Sequence, residues 1–302
     1  MTKFYPQRVA NEITVVLRSV GVADFPIDVR AVAMEISKQK YPDDPITVVK
    51  GSNLPGFEGA LSPAPPGKIG WGIIYNNGVT SLGRVNFTLG HEFGHYLLHR
   101  KAYPNGFHCS TEDMATWESE YAQRENEANV FAATLLMPLD DFRLQIDERL
   151  RPDFDELGAC ANRYGVSLMA ATLRWLQYTS RRSMLVVSKE GFILWARSSR
   201  AALRSGLYFK TRNRPPIAIP EKSLAANTGS ATTSRVSCQF DAEVWLDQPC
   251  TEHALLSDQY DFTLSLLHFP DGEFNAGVFE ESFGEDTADR IRSRKPGQSW
   301  LG

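Results

Sequence analysis

His91 and His95 stand four residues apart, with Glu92 directly after the first, in His91-Glu92-Phe93-Gly94-His95. On a helix that spacing stacks the two side chains one turn apart on one face, so both imidazoles can reach a single metal ion. Glu92 is turned about 100° away from that face, a position that suits a base acting on metal-held water better than a ligand. Gly90 and Gly94 each cost roughly 1 kcal/mol against Ala inside a helix. Ordinary helix surface gives no reason for them, whereas their small size lets another segment or a substrate approach the metal face.

Two histidines leave a catalytic zinc ion one protein ligand short. The candidates are His99, His108, Cys109 and the acidic residues of the segment from Arg124 to Ala133. Within it, Glu125 and Asn129 are four apart and share a helix face, while Glu127 points elsewhere with Phe131. A carboxylate ligand followed one turn later by an amide is sound chemistry, because the amide oxygen can orient an imidazole N–H. Glu125 is therefore the preferred ligand and Asn129 the orienting group, with Glu127 as the alternative ligand. His99 continues the row but drifts about 80° from His91, and reads better as a polar helix-end residue. His108 and Cys109 fall in an expected loop, where nothing fixes them. Zn²⁺ suits an imidazole–carboxylate set, although Mn²⁺ or Fe²⁺ can occupy similar ligands. With zinc there, the pKa of bound water falls towards about 7. Glu92 would take the proton during attack on a peptide carbonyl and return it to the departing nitrogen. Tyr103, His108 and Tyr121 are equal candidates for the oxyanion donor.

The elements that must position these groups follow from periodicity. Leu82, Val85, Leu89, Phe93 and Tyr96/Leu97 form an apolar stripe, predicting a helix from about Ser81 to His99 with Thr80 and Ser81 as N-terminal caps. A second helix is predicted from about Arg124 to Leu136, after a polar loop over His108 to Gln123, and a shorter one from Asp140 to about Leu150. Two helices open the chain, one ending at Gly21 and one from about Pro26 to Lys38. Strands are expected at Ile46 to Val49 and Ile69 to Tyr75, separated by a loop at Pro63 to Gly67. Asp153 to Tyr178 reads as helix, turn, helix, resembling a helix-turn-helix, with a plain helical hairpin equally open. Its second helix offers only Arg174 as a basic group, too little for reading a DNA groove. Beyond Arg182 the pattern turns to β, with strands at Met184 to Val187, Phe192 to Ala196, Val236 to Leu246 and Phe262 to Phe269. Lys189-Glu190-Gly191 is a hairpin signal, and Ser223 to Ser234 reads as a loop.

The chain of 302 residues is long enough for two domains, and 42% hydrophobic with 23% charged residues excludes a disordered or collagen-like chain. A net charge of −4 argues against a mainly electrostatic nucleic-acid binder. Cys109, Cys160, Cys238 and Cys250 form no CxxC pair, which rules out a disulfide scaffold or a zinc finger. Neither a signal peptide nor a membrane span is expected, which points to the cytoplasm.

GRVNFTLGHEFGHYLLH, followed about thirty residues later by ENEANVFAATLLMP, resembles the ImmA/IrrE family of HExxH metallopeptidases. The likeness is good over roughly residues 1 to 180. The expected fold is α+β. The likeness implies a zincin-like domain of helices and a small sheet at 1–150. The pattern along the chain gives a helix-turn-helix-like segment at 151–182 and a β-rich domain at 183–302, analogous in place to the sensor-like C-terminal domain of a family member. The likeness also implies zinc ligands His91 and His95, catalytic base Glu92, and a third ligand in the ENEAN segment, where Glu125 fits a zincin E-x-x-x-[DN] pattern. Several family members cleave a helix-turn-helix repressor to switch on stress-response or mobile-element genes. The expected activity is thus a zinc-dependent endopeptidase acting on a regulatory protein. The alternative is a non-proteolytic regulatory or antitoxin-like binding protein with a structural metal.

Overall fold

The computed structural model describes residues 5–21, 24–54, 56–104, 106, 114–211, 214–230, 235–257 and 262–272, with backbone alone at 114–120, 228–230, 235 and 257. Among them are eight helices, a short 3-10 helix and nine strands in two sheets. The chain divides into two compact units. The first comprises the described residues up to Asp141 with Ala161–Ser167, and the second Phe142–Cys160 with the described residues from Leu168 on.

In the first unit, α1 (Pro6–Ser19) buries Ala10, Ile13, Thr14 and Leu17 along one stripe. α2 (Val29–Lys40) is capped by the Asp28 carboxylate, which accepts from the Ala31 N–H at 3.1 Å. A three-stranded sheet follows, from β1 (Ile46–Ser52), β2 (Gly59–Pro63) and β3 (Trp71–Asn76), in the order β1-β3-β2. β1 runs parallel to β3 and β2 antiparallel to it, so β2 is an edge strand. It occupies part of the stretch that lacked a strand signal: five residues between a Gly and a Pro, with only Leu61 fully buried.

α3 (Leu82–Leu98) starts where Ser81 Oγ accepts from the Arg84 N–H. Its C-terminal turn is locked to the sheet through Asp44. The Asp44 backbone carbonyl accepts from the Tyr96 hydroxyl at 2.6 Å, and its carboxylate accepts from Trp71 Nε1 at 2.7 Å and Arg100 Nε at 3.0 Å. α4 (Met114–Leu136) begins some ten residues before the expected start, so the polar stretch ahead of Arg124 is largely helix, not loop. α5 (Leu139–Gln145) is shorter than expected.

α6 (Phe154–Tyr164) and α7 (Leu168–Leu176) form the helix–turn–helix pattern. No residue of α7 is exposed, and Arg174 is buried, donating to Gln177 Oε1 at 2.8 Å. This helix therefore offers no solvent-facing basic surface.

In the second unit β4 (Ser183–Lys189) and β5 (Phe192–Ser198) form the expected hairpin. Lys189 pairs with Phe192, and Glu190 and Gly191 have φ of 50° and 81°, both positive as a two-residue type I′ turn requires. α8 (Arg200–Arg204), β6 (Ile217–Ala218), the 3-10 helix Ala225–Ser230, β7 (Arg235–Phe240), β8 (Cys250–Ser257) and β9 (Phe262–His268) follow. All six strands are antiparallel, in the order β6-β5-β4-β9-β8-β7. β4 is buried on both faces, which explains its unbroken apolar run.

Two expectations fail together here. β8 lay in a stretch without a strand signal, and Ser223 to Ser230 is folded rather than a free loop. Glu252 links them: fully buried on β8, it accepts from the Leu224 N–H at 3.0 Å, the Ala225 N–H at 3.2 Å, Trp245 Nε1 at 2.8 Å and Ser265 Oγ at 2.7 Å. The strand expected to reach Leu246 ends at Phe240.

His268 makes this unit acid-sensitive. Its Nε2–H donates to the Pro152 carbonyl at 3.0 Å, and its Nδ1 accepts from the Ser183 hydroxyl at 2.8 Å. Both ring nitrogens are thus satisfied in the neutral form, and burial pushes the pKa down to about 4 from 6.5. Below 6.5 the unfolded chain takes up a proton that the folded chain refuses until about 4. Stability is therefore full above that window and falls through it on acidification, by up to roughly 3 kcal/mol for this one group. Urea unfolding with chelator present should show a shallower acid slope for His268→Gln than for the wild type; equal slopes would reject the assignment.

Candidate metal centre

α3 and α4 meet through their smallest residues. A Cβ at Gly90 would lie 3.2 Å from Ala132 Cβ, and one at Gly94 would lie 3.0 Å from Phe131 Cδ1 and 3.2 Å from Ala128 Cα. One turn forward along α3 matches one turn back along α4, so the helices run antiparallel in close contact. The glycines thus admit α4 itself. Any larger side chain would push away the helix that carries the acidic residues.

Across this seam the donor atoms converge. His91 Nε2 and His95 Nε2 are 2.9 Å apart, and the Glu125 carboxylate lies 3.2 Å from the first and 3.3 Å from the second. Ligands held about 2.0–2.1 Å from a tetrahedral ion are separated by about 3.3 Å, so the triangle has the size and the chemistry that a zinc-like cation requires. Among the described residues these three form the one group of His, Cys, Asp or Glu close enough to hold a metal. Solvent reaches the triangle, since the His91 and Glu125 side chains are 16% and 25% exposed.

Asn129 Oδ1 sits 3.0 Å from His91 Nδ1. A carbonyl oxygen only accepts, so Nδ1 carries the proton and Nε2 is left with its lone pair towards the triangle. Glu127 does not enter the triangle. It pairs with His99 at 3.0 Å, and His99 is buried rather than a solvated helix end. Tyr103 and Tyr121 both flank the Arg124 guanidinium, 4.5 Å and 6.0 Å from ring centre to Cζ, and the Tyr103 hydroxyl accepts from it. These contacts brace the turn bearing Glu125. His108 and Cys109 lie outside the described residues.

Two carboxyls of this site, Glu92 and Glu125, are driven in opposite directions. Burial pushes Glu92 up to about 7, with the Glu125 charge adding to it and His91 opposing. Burial also acts on Glu125, but its contacts with His91 and His95 outweigh it and hold the carboxyl well below the usual range. Burial lowers His95 to about 4; it opposes charge on His91 too, yet the contact with Glu125 prevails and raises that pKa. One carboxyl is thus held ionised and the other near neutrality, the kind of separation that lets two neighbouring carboxyls differ in chemistry.

Residues 46–176, from the first residue of β1 to the last of α7, match the family model for the IrrE N-terminal-like domain, peptidase family M78. Over this stretch the chain is similar to the IrrE N-terminal-like domain. Among curated proteins none matches the chain significantly. The matched stretch contains every residue of the triangle, together with Glu92, Asn129, His99 and Glu127. Sequence reasoning missed the partnership of His99 with Glu127. The signal was present, because the eighth residue after His91 returns to within about 80° of it, but the angle alone does not show that α4 approaches there.

The domain's edge strand also borders the motif. A Cβ at Gly59, the first residue of β2, would lie 2.4 Å from Thr88 Cγ2 and 3.2 Å from Glu92 Cγ. Only glycine lets this strand lie against Glu92. Glu58 accepts from Arg84 and, at 3.4 Å, from Thr88 Oγ1, so the start of β2 is tied to the face of α3 that Glu92 continues.

Proposed function

We propose that the chain is a zinc-dependent endopeptidase that cleaves a regulatory protein, with His91, His95 and Glu125 holding the metal, Asn129 orienting His91 and Glu92 as general base. The observation that carries this reading is the solvent-reached triangle of donor atoms with a buried, high-pKa carboxyl beside it, inside an IrrE N-terminal-like domain. Bound there, zinc supplies a Lewis acid for a peptide carbonyl and lowers the pKa of water. Glu92 accepts the proton of the attacking water and delivers it to the departing amide nitrogen, a role matched to a pKa near neutrality. Glu125 and the two imidazoles hold their places throughout, each ring turned by its hydrogen bond on the far nitrogen. An extended polypeptide suits the surroundings, because among the described residues no strand pairs with the outer side of β2.

The regulatory substrate, a helix-turn-helix repressor in the cytoplasm, is the partner that the likeness to ImmA/IrrE proteins favours. A DNA-reading alternative gains nothing from α7, whose one basic side chain, Arg174, is buried. Among the described residues no helix is long and apolar enough to cross a membrane. Incubated with candidate repressors, the full chain should make a discrete cut that EDTA abolishes and Zn²⁺ restores. Cleavage that survives chelation, or a purified chain that binds no divalent cation, would overturn the reading.

A further inference from the structure

His99, Glu127 and Gln123 have no task in the proposed reaction, yet they form a chain that ends on a ligand. His95 Nδ1 lies 3.0 Å from His99 Nδ1, His99 Nε2 lies 3.0 Å from Glu127 Oε2, and Gln123 Nε2 donates to Glu127 Oε1 at 2.8 Å. Both imidazoles are buried, at 2% and 6% exposure.

The direction of this chain is fixed by chemistry. An ionised carboxylate only accepts, so the proton between His99 and Glu127 resides on His99 Nε2. A neutral His99 then presents a bare Nδ1. Two ring nitrogens 3.0 Å apart need one proton between them, and His95 Nδ1 must supply it. His95 Nε2 is thereby left with its lone pair towards Glu125 and His91. A His99 of the opposite tautomer would set N–H against N–H, or force the proton of His95 onto the nitrogen that faces the triangle.

The geometry points to His99 and Glu127 as a positioning pair that fixes the tautomer and ring orientation of His95 and strengthens it as a metal donor. The inference rests on the metal-centre reading above and deepens it. The two ligands are oriented differently: His91 by the neutral amide of Asn129, His95 by a carboxylate acting through a second imidazole. An anionic terminus draws proton density away from His95 Nδ1 and makes its Nε2 the more basic donor.

Competition for Zn²⁺ between the full chain and a chromogenic chelator tests this without any substrate. His99→Leu and Glu127→Leu should weaken zinc binding by roughly 10–100-fold, the range for partners that orient a ligand. His99→Gln should recover most of that loss, because its amide oxygen can accept from His95 and its NH₂ can donate to Glu127. Long-range ¹⁵N–¹H spectra of the zinc-loaded wild type should show His99 neutral with its proton on Nε2. Glu127, with its side chain 27% exposed, tolerates substitution better than His99 and carries the binding test if His99→Leu fails to fold. Unchanged affinity in the leucine variants, or a His99 proton on Nδ1, would overturn the inference alone. A wild type that binds no zinc would overturn the metal centre and the inference with it.

Discussion

Glu92→Gln should abolish peptide cleavage while the protein keeps its full complement of zinc. The substitution preserves shape, so the close approach of Glu92 to Gly59 survives. The triangle of His91, His95 and Glu125 also remains, because Glu92 contributes no atom to it. What is lost is the one carboxyl that burial has brought to about 7, and with it the proton acceptor. Loss of a positioned general base costs typically about 10²–10⁴ in rate. Thermal stability should hold or rise, since a buried carboxyl with a raised pKa is held in place against its own hydration. Cleavage at the wild-type rate would move the base elsewhere. Zinc lost together with activity would make Glu92 a ligand instead.

The parts of this molecule legible in its sequence are those whose signal is local. Helix α3 carries an unbroken apolar stripe and a metal-spacing motif within seventeen residues, with a serine cap directly before them, and each points to the same element. Glu125 and Asn129 were readable for the same reason: their spacing puts both on one face before any partner is known. The hairpin between β4 and β5 was fixed by Glu190-Gly191, where positive φ is required. The losses occurred where a distant partner decides. The first three turns of α4 are polar and carry no apolar period, so only the helix propensity of their Met, Ala, Glu and Gln marks them as helix. β2 is held by one neighbouring strand and by the face of α3, neither of which is visible in Gly59-Ala60-Leu61-Ser62-Pro63. β8 alternates correctly only once Glu252 is known to point inward, where two backbone N–H groups at the start of the 3-10 helix, those of Leu224 and Ala225, satisfy it. A buried carboxylate thus hid a strand and a fold in the neighbouring loop together. His99 is the same lesson at the candidate site, since a polar residue at a helix end acquires meaning only when Glu127 arrives from α4.

Glu125→Ala should abolish stoichiometric metal binding, and Glu127→Ala should only weaken it. The two carboxylates are two residues apart on one helix, so both variants carry the same change of charge and composition. The geometry separates them. Glu125 reaches both imidazoles, at 3.2 Å and 3.3 Å, whereas Glu127 reaches His99. Without Glu125 two neutral imidazoles remain, with no anion to offset a divalent charge, one protein ligand fewer than a catalytic zinc ion usually retains. The drop should therefore exceed the roughly 10–100-fold expected for a group that merely orients a ligand. The same variant changes the site without metal. His91 loses the carboxylate that raises its pKa, so burial then favours the neutral ring, and the acid-dependent competition between proton and cation at that nitrogen should weaken. Elemental analysis of the purified variants, followed by zinc titration at neutral pH, separates the outcomes. Metal retained in Glu125→Ala and lost in Glu127→Ala would exchange the roles of the two carboxylates. Metal retained in both would remove α4 from the centre, and with it the reason for the glycine seam that brings α4 to His91 and His95.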